Sequence, residues 1–238
     1  MITGRRELAC AILAAAAYQE PAQARLAILG QGFTWAMFYD RDGAQAVMAG
    51  DGHAVVTAFR GTSEASDVLD DLRYVKTDFP GVAGGRVHAG FLDALLRIWP
   101  AVAADLAQLD PRLPSLFTGH SLGAAMALLA AGMAEDSTPD EVHVFGCPRV
   151  GNATFAASLE WTVDVFRYEN RADVVTFLPP RTSPRQVLNA LRHGRTPSLY
   201  THAGVAIPLA TWRHGMAGYR AGVREMVGET LAPAVAAA

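Results

Sequence analysis

Thr118-Gly119-His120-Ser121-Leu122-Gly123-Ala124 is the stretch on which the reading of this chain turns. It is Gly-x-Ser-x-Gly, placed between a short apolar run, Leu113 to Phe117, and the breaker-free Ala124 to Ala131. A strand running into a sharp turn and then a helix fits this pattern, with the serine at the apex in a strained conformation. The glycines two before and two after the serine face each other across such a turn, where side chains would force strand and helix apart. The new helix also aims its first amides at the space beside the serine, where an oxyanion would form. Against this stands the plainer reading of a structural serine in a glycine-bounded loop.

Outward from this turn the chain alternates strands and helices. Residues 7–18 read as a helix, and Phe33 to Tyr39 and Ala44 to Ala49 read as a hairpin across Asp40-Arg41-Asp42-Gly43. His53 to Arg60 reads as a central strand broken by Gly61, and residues 90–108 as a helix bent at Pro100. Strands at Glu141 to Phe145 and Val163 to Tyr168 flank a helix at Phe155 to Trp161. A short strand near Tyr200 and a last helix from Gly215 to Val227 follow. This order predicts an α/β fold, a mostly parallel sheet with helices on both faces, and one domain over residues 1–238. Thr62, Ser121, Pro148 and Asp173 all follow predicted strands, the edge where reactive groups collect in such sheets.

Composition excludes several classes. With 51% hydrophobic and 18% charged residues in 238, the chain can bury a sizeable core. A net charge of −3 offers no field for nucleic acid. No metal-ligand spacing and no phosphate loop is present, and no cofactor is expected. Cys10 and Cys147 read as buried thiols. Lys76 is the one lysine among 20 basic residues, a bias that suggests a bacterial source. The N-terminus, with Arg5-Arg6, an apolar run and Ala22-Gln23-Ala24, imitates a secretory signal. Glu7 interrupts it, and the first helix of a domain explains it better, so a cytoplasmic location is favoured over secretion. Nothing here speaks to oligomeric state.

A serine nucleophile needs a base, and the base needs an acid to orient it, in the chain order Ser, Asp, His for this turn. Asp173 is the best acid, just past a strand and shielded by Val174 to Leu178, with turn capping as its plainer reading. His120 adjoins the serine and points elsewhere. His53, His88 and His143 lie in the wrong order or place, and His193 lies in an arginine-rich loop. His202 and His214 remain. His214 is favoured because it opens the last helix, whereas His202 lies in or beside a strand, where a satisfied core histidine is the commoner case.

Further segments resemble the class 3 lipases, the fungal-lipase-like branch of the α/β hydrolases. They are Phe59-Arg60-Gly61-Thr62, Val87-His88-Ala89-Gly90-Phe91, Phe145 to Asn152, Asp173 to Pro180, Tyr200 to Gly204, and His214 with Tyr219, in family order across residues 59–219. The resemblance implies an α/β-hydrolase fold and Ser121 as nucleophile, Asp173 as acid and His214 as base. It implies oxyanion-hole amides from Thr62 and Leu122, and Val175, Leu178 and Trp212 in an acyl groove. The activity implied is hydrolysis of acylglycerols or similar hydrophobic esters. A phospholipase A1 or a feruloyl-type esterase would use the same triad, and a non-catalytic binding scaffold is the reading from another class.

The chain departs from the family at Val68-Leu69-Asp70-Asp71-Leu72, where a tryptophan is usual, and at Ala124, where a second glycine is usual. Residues 63–80 are a candidate lid. Val68, Leu69, Leu72 and Val75 fall on one helical face that would meet substrate and touch a lipid interface transiently; an ordinary packed surface helix fits the same pattern.

Overall fold

A computed structural model describes residues 5–62, 75–182, 187–188, 191–192, 198–212 and 214–228. Its centre is a seven-stranded sheet in the order β1-β2-β3-β6-β7-β8-β9. Strands β1 (Trp35–Arg41), β2 (Ala44–Gly50) and β3 (Val55–Phe59) are antiparallel neighbours. From β3 the sheet continues in parallel through β6 (Ser115–His120), β7 (Glu141–Phe145), β8 (Asp164–Asn170) and β9 (Val205–Leu209). The β1–β2 hairpin closes on Asp42 and Gly43, both at positive φ, the geometry that a two-residue turn needs to match strand twist.

Both faces of the sheet are covered, as the alternation of elements predicts. On β3 the period of two sends Val55 and Phe59 into one core and Val56 and Ala58 into the other. The first core is closed by α3 (Ala89–Leu106), α4 (Leu122–Met133) and α5 (Ala153–Glu160), and the second by α1 (Arg6–Ala16) and α6 (Met216–Met226). Burial of Leu8 and Leu13 on α1, and of Phe91, Leu95 and Ile98 on α3, contributes about 1.5–3 kcal/mol per side chain. Helix α4 is apolar all round and nearly all buried, so it runs through the interior. Pro100 lies inside α3 on its exposed side, where the loss of one backbone donor is tolerated.

Three elements escape the sequence pattern. Helix α2 (Pro21–Leu29) has little amphipathic character and buries Ala24 and Ile28. Strand β9 is an exposed edge strand containing Pro208, a position where proline costs no central ladder bond. The strand expected near Tyr200 is reduced to a bridge between Thr201 and Gly151.

A small second sheet corrects the far end of the candidate lid. Residues 76–78 are strand β4 (Lys76–Asp78), paired antiparallel with β5 (Arg86–His88) in a small second sheet, so no helix runs on to residue 80. Lys76 anchors it, donating to the Ser198 carbonyl at 2.9 Å and resting over the Tyr200 ring at 3.6 Å. Val68, Leu69 and Leu72 lie outside the described residues.

Candidate active site

The exits of β3, β6, β7 and β8 converge on one edge of the sheet, and Ser121 stands at the end of β6. Its backbone has φ 57° and ψ −123°, a strained region for a residue with a side chain. The turn is pinned by the Ser121 amide donating to the Phe145 carbonyl at 3.0 Å, and by α4 beginning at once behind it. A Cβ at Gly119 would fall 2.3 Å from the Gly123 carbonyl, so the two glycines do face each other. Gly123 is held a second time, since a Cβ there would lie 2.0 Å from the Phe59 carbonyl oxygen. The exit of β3 therefore crosses over the start of α4, a contact between distant segments that no local pattern announces.

That crossing brings Gly61 against the serine. A Cβ at Gly61 would sit 2.4 Å from the His120 carbonyl oxygen and 3.4 Å from Ser121 Cβ, and Thr62 follows directly, half-buried. Leu122 is the first residue of α4, where helical amides have no carbonyl partner within the helix.

Asp173 ends the loop after β8 and caps a 3₁₀ turn, Val174–Phe177, by accepting from the Val175 amide at 2.9 Å. The His214 Nδ1–H donates to Asp173 Oδ2 at 2.7 Å, and the Tyr219 hydroxyl donates to the same oxygen at 2.5 Å. Burial alone would raise the Asp173 carboxyl. The bonds from His214, Tyr219 and Val175 outweigh it and hold the group below the usual carboxylate range. Asp173 is 1% exposed, so the charge that orients His214 is shielded from water. His214 Nε2 and Ser121 Oγ both lack a hydrogen-bond partner among the described residues.

His120, set aside as a base, has a different task. Its Nε2–H donates to the His214 carbonyl at 2.6 Å, and its Nδ1 accepts from the Tyr18 hydroxyl at 2.8 Å. The residue beside the serine thus holds the backbone of the histidine and ties both to Tyr18, in the turn just past α1. Burial, and then the neighbouring His214, lower its pKa to about 4, so it stays a neutral tether. Tyr219, whose hydroxyl also accepts from the Asn170 amide at 3.2 Å, is the other residue whose role sequence spacing does not reveal. His202 is remote from this exchange. Its Nε2–H donates to the Thr176 carbonyl at 2.8 Å, and burial lowers its pKa to about 3.

The groove residues divide. Trp212 is 64% exposed and Leu178 is half-buried against the core. Val175 is 1% exposed and belongs to the core, so the expectation that it lines an open groove is corrected. The 3₁₀ turn rotates its neighbours outward instead, leaving Val174 and Phe177 on the surface. A cavity of about 430 Å³ lined by Val55, Leu106, Asp110, Pro111 and Ser115 lies at the opposite edge, where β3 and β6 begin.

A family model described as lipase (class 3) matches residues 56–183, which contain the β3 exit, the serine turn and Asp173. The chain belongs to the class 3 lipase family. A lipase of Rhizopus niveus is 36% identical over 140 residues, covering 54% of this chain and 35% of that protein. A secreted mono- and diacylglycerol lipase of Fusarium solani is 33% identical over 135 residues, covering 53% and 39%. The chain thus spans well under half the length of these curated relatives. The solved triacylglyceride lipase of Rhizomucor miehei superposes with a TM-score of 0.70 at 26% identity, over 88% of this chain and 81% of that one.

Two expectations change with these comparisons. The relative from Fusarium solani is named as secreted, which overturns the cytoplasmic location. The N-terminal stretch misled because its periodicity is that of a packed helix. Helix α1 does bury Leu8, Cys10, Ala11, Leu13 and Ala14, but packing says nothing about compartment. The relatives described are fungal and lend no support to the bacterial source suggested by arginine usage.

Proposed function

We propose that this class 3 lipase is a serine carboxylic ester hydrolase that cleaves acylglycerols or similar hydrophobic esters through an acyl-enzyme. One observation carries the reading. His214 is bonded through Nδ1 to a buried carboxylate, which leaves Nε2 as a lone-pair acceptor, and the strained Ser121 leaves Oγ unbonded. In the reaction His214 Nε2 takes the Ser121 proton as Oγ attacks the ester carbonyl. The Thr62 and Leu122 amides receive the oxyanion, each such donor being worth about 3 kcal/mol in the transition state. His214 returns the proton to the leaving alcohol, and water then frees the acid by the same steps. Asp173 stays ionised throughout and stabilises the imidazolium.

Exposed Val174, Phe177 and Trp212 beside this edge support a hydrophobic acyl group. A transient contact with a lipid surface belongs to the same proposal. So does a single domain, and so does a lid within the segment before β4.

The test is a fluorophosphonate label followed by a chain-length series of p-nitrophenyl esters, with acylglycerol, phospholipid and feruloyl esters alongside. Labelling at Ser121, lost in Ser121→Ala, together with acylglycerol turnover, is the expected result. A folded chain that takes no label would be a binding scaffold. Preference for phospholipid or feruloyl ester would move the substrate class while leaving the triad.

A further inference from the structure

Behind the 3₁₀ turn that follows Asp173 lies a second cavity, of about 270 Å³, lined by Arg149, Arg181, Thr201 and His202. Two of these residues are bonded to the chain from Thr176 to Pro179. The Arg149 guanidinium donates to the carbonyls of Phe177 and Pro179, the latter at 2.9 Å, and His202 Nε2–H donates to the Thr176 carbonyl. None of its four lining residues belongs to the candidate set Ser121, Asp173 and His214.

Two features call for a ligand. The first is charge. Among the described residues, no carboxylate forms an ion pair with Arg149 or Arg181. The nearby Glu169 is engaged by Arg167. Two guanidiniums, Arg149 half-buried and Arg181 exposed, therefore line the cavity without a carboxylate ion-paired to either among the described residues, and an anion between them would relieve their repulsion. The strain registers on the residues themselves. Burial and then Arg181 lower the Arg149 pKa, and the three arginines add to the burial that keeps His202 neutral.

The second feature is an orphaned acceptor. His202 spends its one N–H on Thr176, so Nδ1 is a bare lone pair, buried and without a partner among the described residues. Such an atom is costly unless it receives a donor. An anion that fits must therefore carry both negative oxygens for the arginines and an O–H for the histidine. Sulfate and phosphodiesters have no such proton near neutral pH. Orthophosphate does, and a phosphomonoester does while its second ionisation, near pH 6, is incomplete.

We propose that this cavity binds a protonated phosphate group, with Arg149 and Arg181 holding the charged oxygens and the P–OH donating to His202 Nδ1. The group is free orthophosphate or the monoester headgroup of a phosphatidate.

Calorimetric titration of the full chain with inorganic phosphate at about pH 6, at constant ionic strength, tests it. Expected is saturable binding with Kd on the order of millimolar or tighter. Sulfate should bind at least about tenfold more weakly, as should phosphate to Arg181→Gln, since each loses a charge-assisted or orphan-satisfying bond. Arg181 is exposed, so that variant should keep the wild-type Tm and ester turnover. No saturable heat, equal sulfate affinity, or an unaltered Arg181→Gln would overturn the site.

Sedimentation with phosphatidylcholine vesicles carrying either phosphatidate or phosphatidylserine separates the sources. Extra binding to phosphatidate that Arg181→Gln loses assigns the lipid headgroup. Phosphate binding in solution without that preference assigns the free anion. Calorimetry needs no turnover, so the cavity stands or falls apart from the esterase reading.

Discussion

Gly146→Ala isolates the geometry of the Asp173–His214 pair. Gly146 follows β7 with φ +55°, and a Cβ there would fall 2.8 Å from Asp173 Oδ2 and 3.1 Å from both Cε1 and Nδ1 of His214. The glycine is thus the floor on which the pair rests. An alanine carries two separate costs. Holding a side chain at positive φ costs ~1–2 kcal/mol. Restoring ordinary contact, which begins at 3.4 Å, also moves the carboxylate by roughly 0.6 Å against a buried 2.7 Å hydrogen bond.

At about 2–4 °C per kcal/mol for a chain of this length, the backbone cost lowers Tm by ~2–8 °C. The displacement acts on the base, and shifts of this size lower kcat by on the order of 10²-fold. Gly43→Ala is the control, because Gly43 has φ +79° with nothing within 4 Å of a Cβ. It should show a similar Tm loss and wild-type turnover. The assay is kcat on a soluble p-nitrophenyl ester, with Tm from tryptophan fluorescence. A Gly146→Ala protein that keeps kcat within about threefold while losing only the stability that Gly43→Ala loses would refute the argument.

Tyr219→Phe removes the hydroxyl that donates to Asp173, a charge-assisted bond worth about 2 kcal/mol. Expected are a Tm drop of roughly 4–8 °C and a smaller fall in kcat than in Gly146→Ala, because His214 and the Val175 amide still hold the carboxylate. His214→Ala should remove nearly all ester turnover, whereas His202→Ala should mainly lower Tm, and the opposite pattern in paired kinetic and melting experiments would exchange their roles.

Acid should destabilise the fold before carboxylates titrate. Burial lowers His88 and His120 to about 4 and His202 to about 3, while the unfolded imidazole takes its proton near 6.5. Between these values the unfolded chain binds more protons, so stability is full above about pH 7 and falls as pH drops from about 6.5 towards 4. Three protons set a limiting slope of ~4 kcal/mol per pH unit. Urea midpoints that stay level from pH 8 to pH 5 would contradict this.

Much of this edge is legible locally because its demands are local. A serine that must sit at φ 57° requires small neighbours two residues away on each side, and Gly119 and Gly123 record that demand in adjacent positions. Alternation of buried strands and helices records the parallel sheet in the same way. Residues whose work lies between distant segments leave no such trace. Gly146 looks like any loop glycine, and His120 looks like a bystander until α1 and the His214 loop close around it. Tyr219 reads as one more helical aromatic until β8 delivers Asp173 to its hydroxyl. Val175 shows the limit from the other side, since one 3₁₀ turn decides which of its three apolar residues face water, and hydrophobicity alone cannot order them.

The sequence by itself therefore determined the turn, the order of elements and the candidates for the reacting groups, because steric and periodic rules act over a few residues. Tertiary structure alone decided what supports those groups: the β3 exit over Gly123, the floor at Gly146, and the tethers from His120 and Tyr219. Those contacts join segments tens to more than a hundred residues apart, and their energies depend on distances that exist only once the sheet has formed.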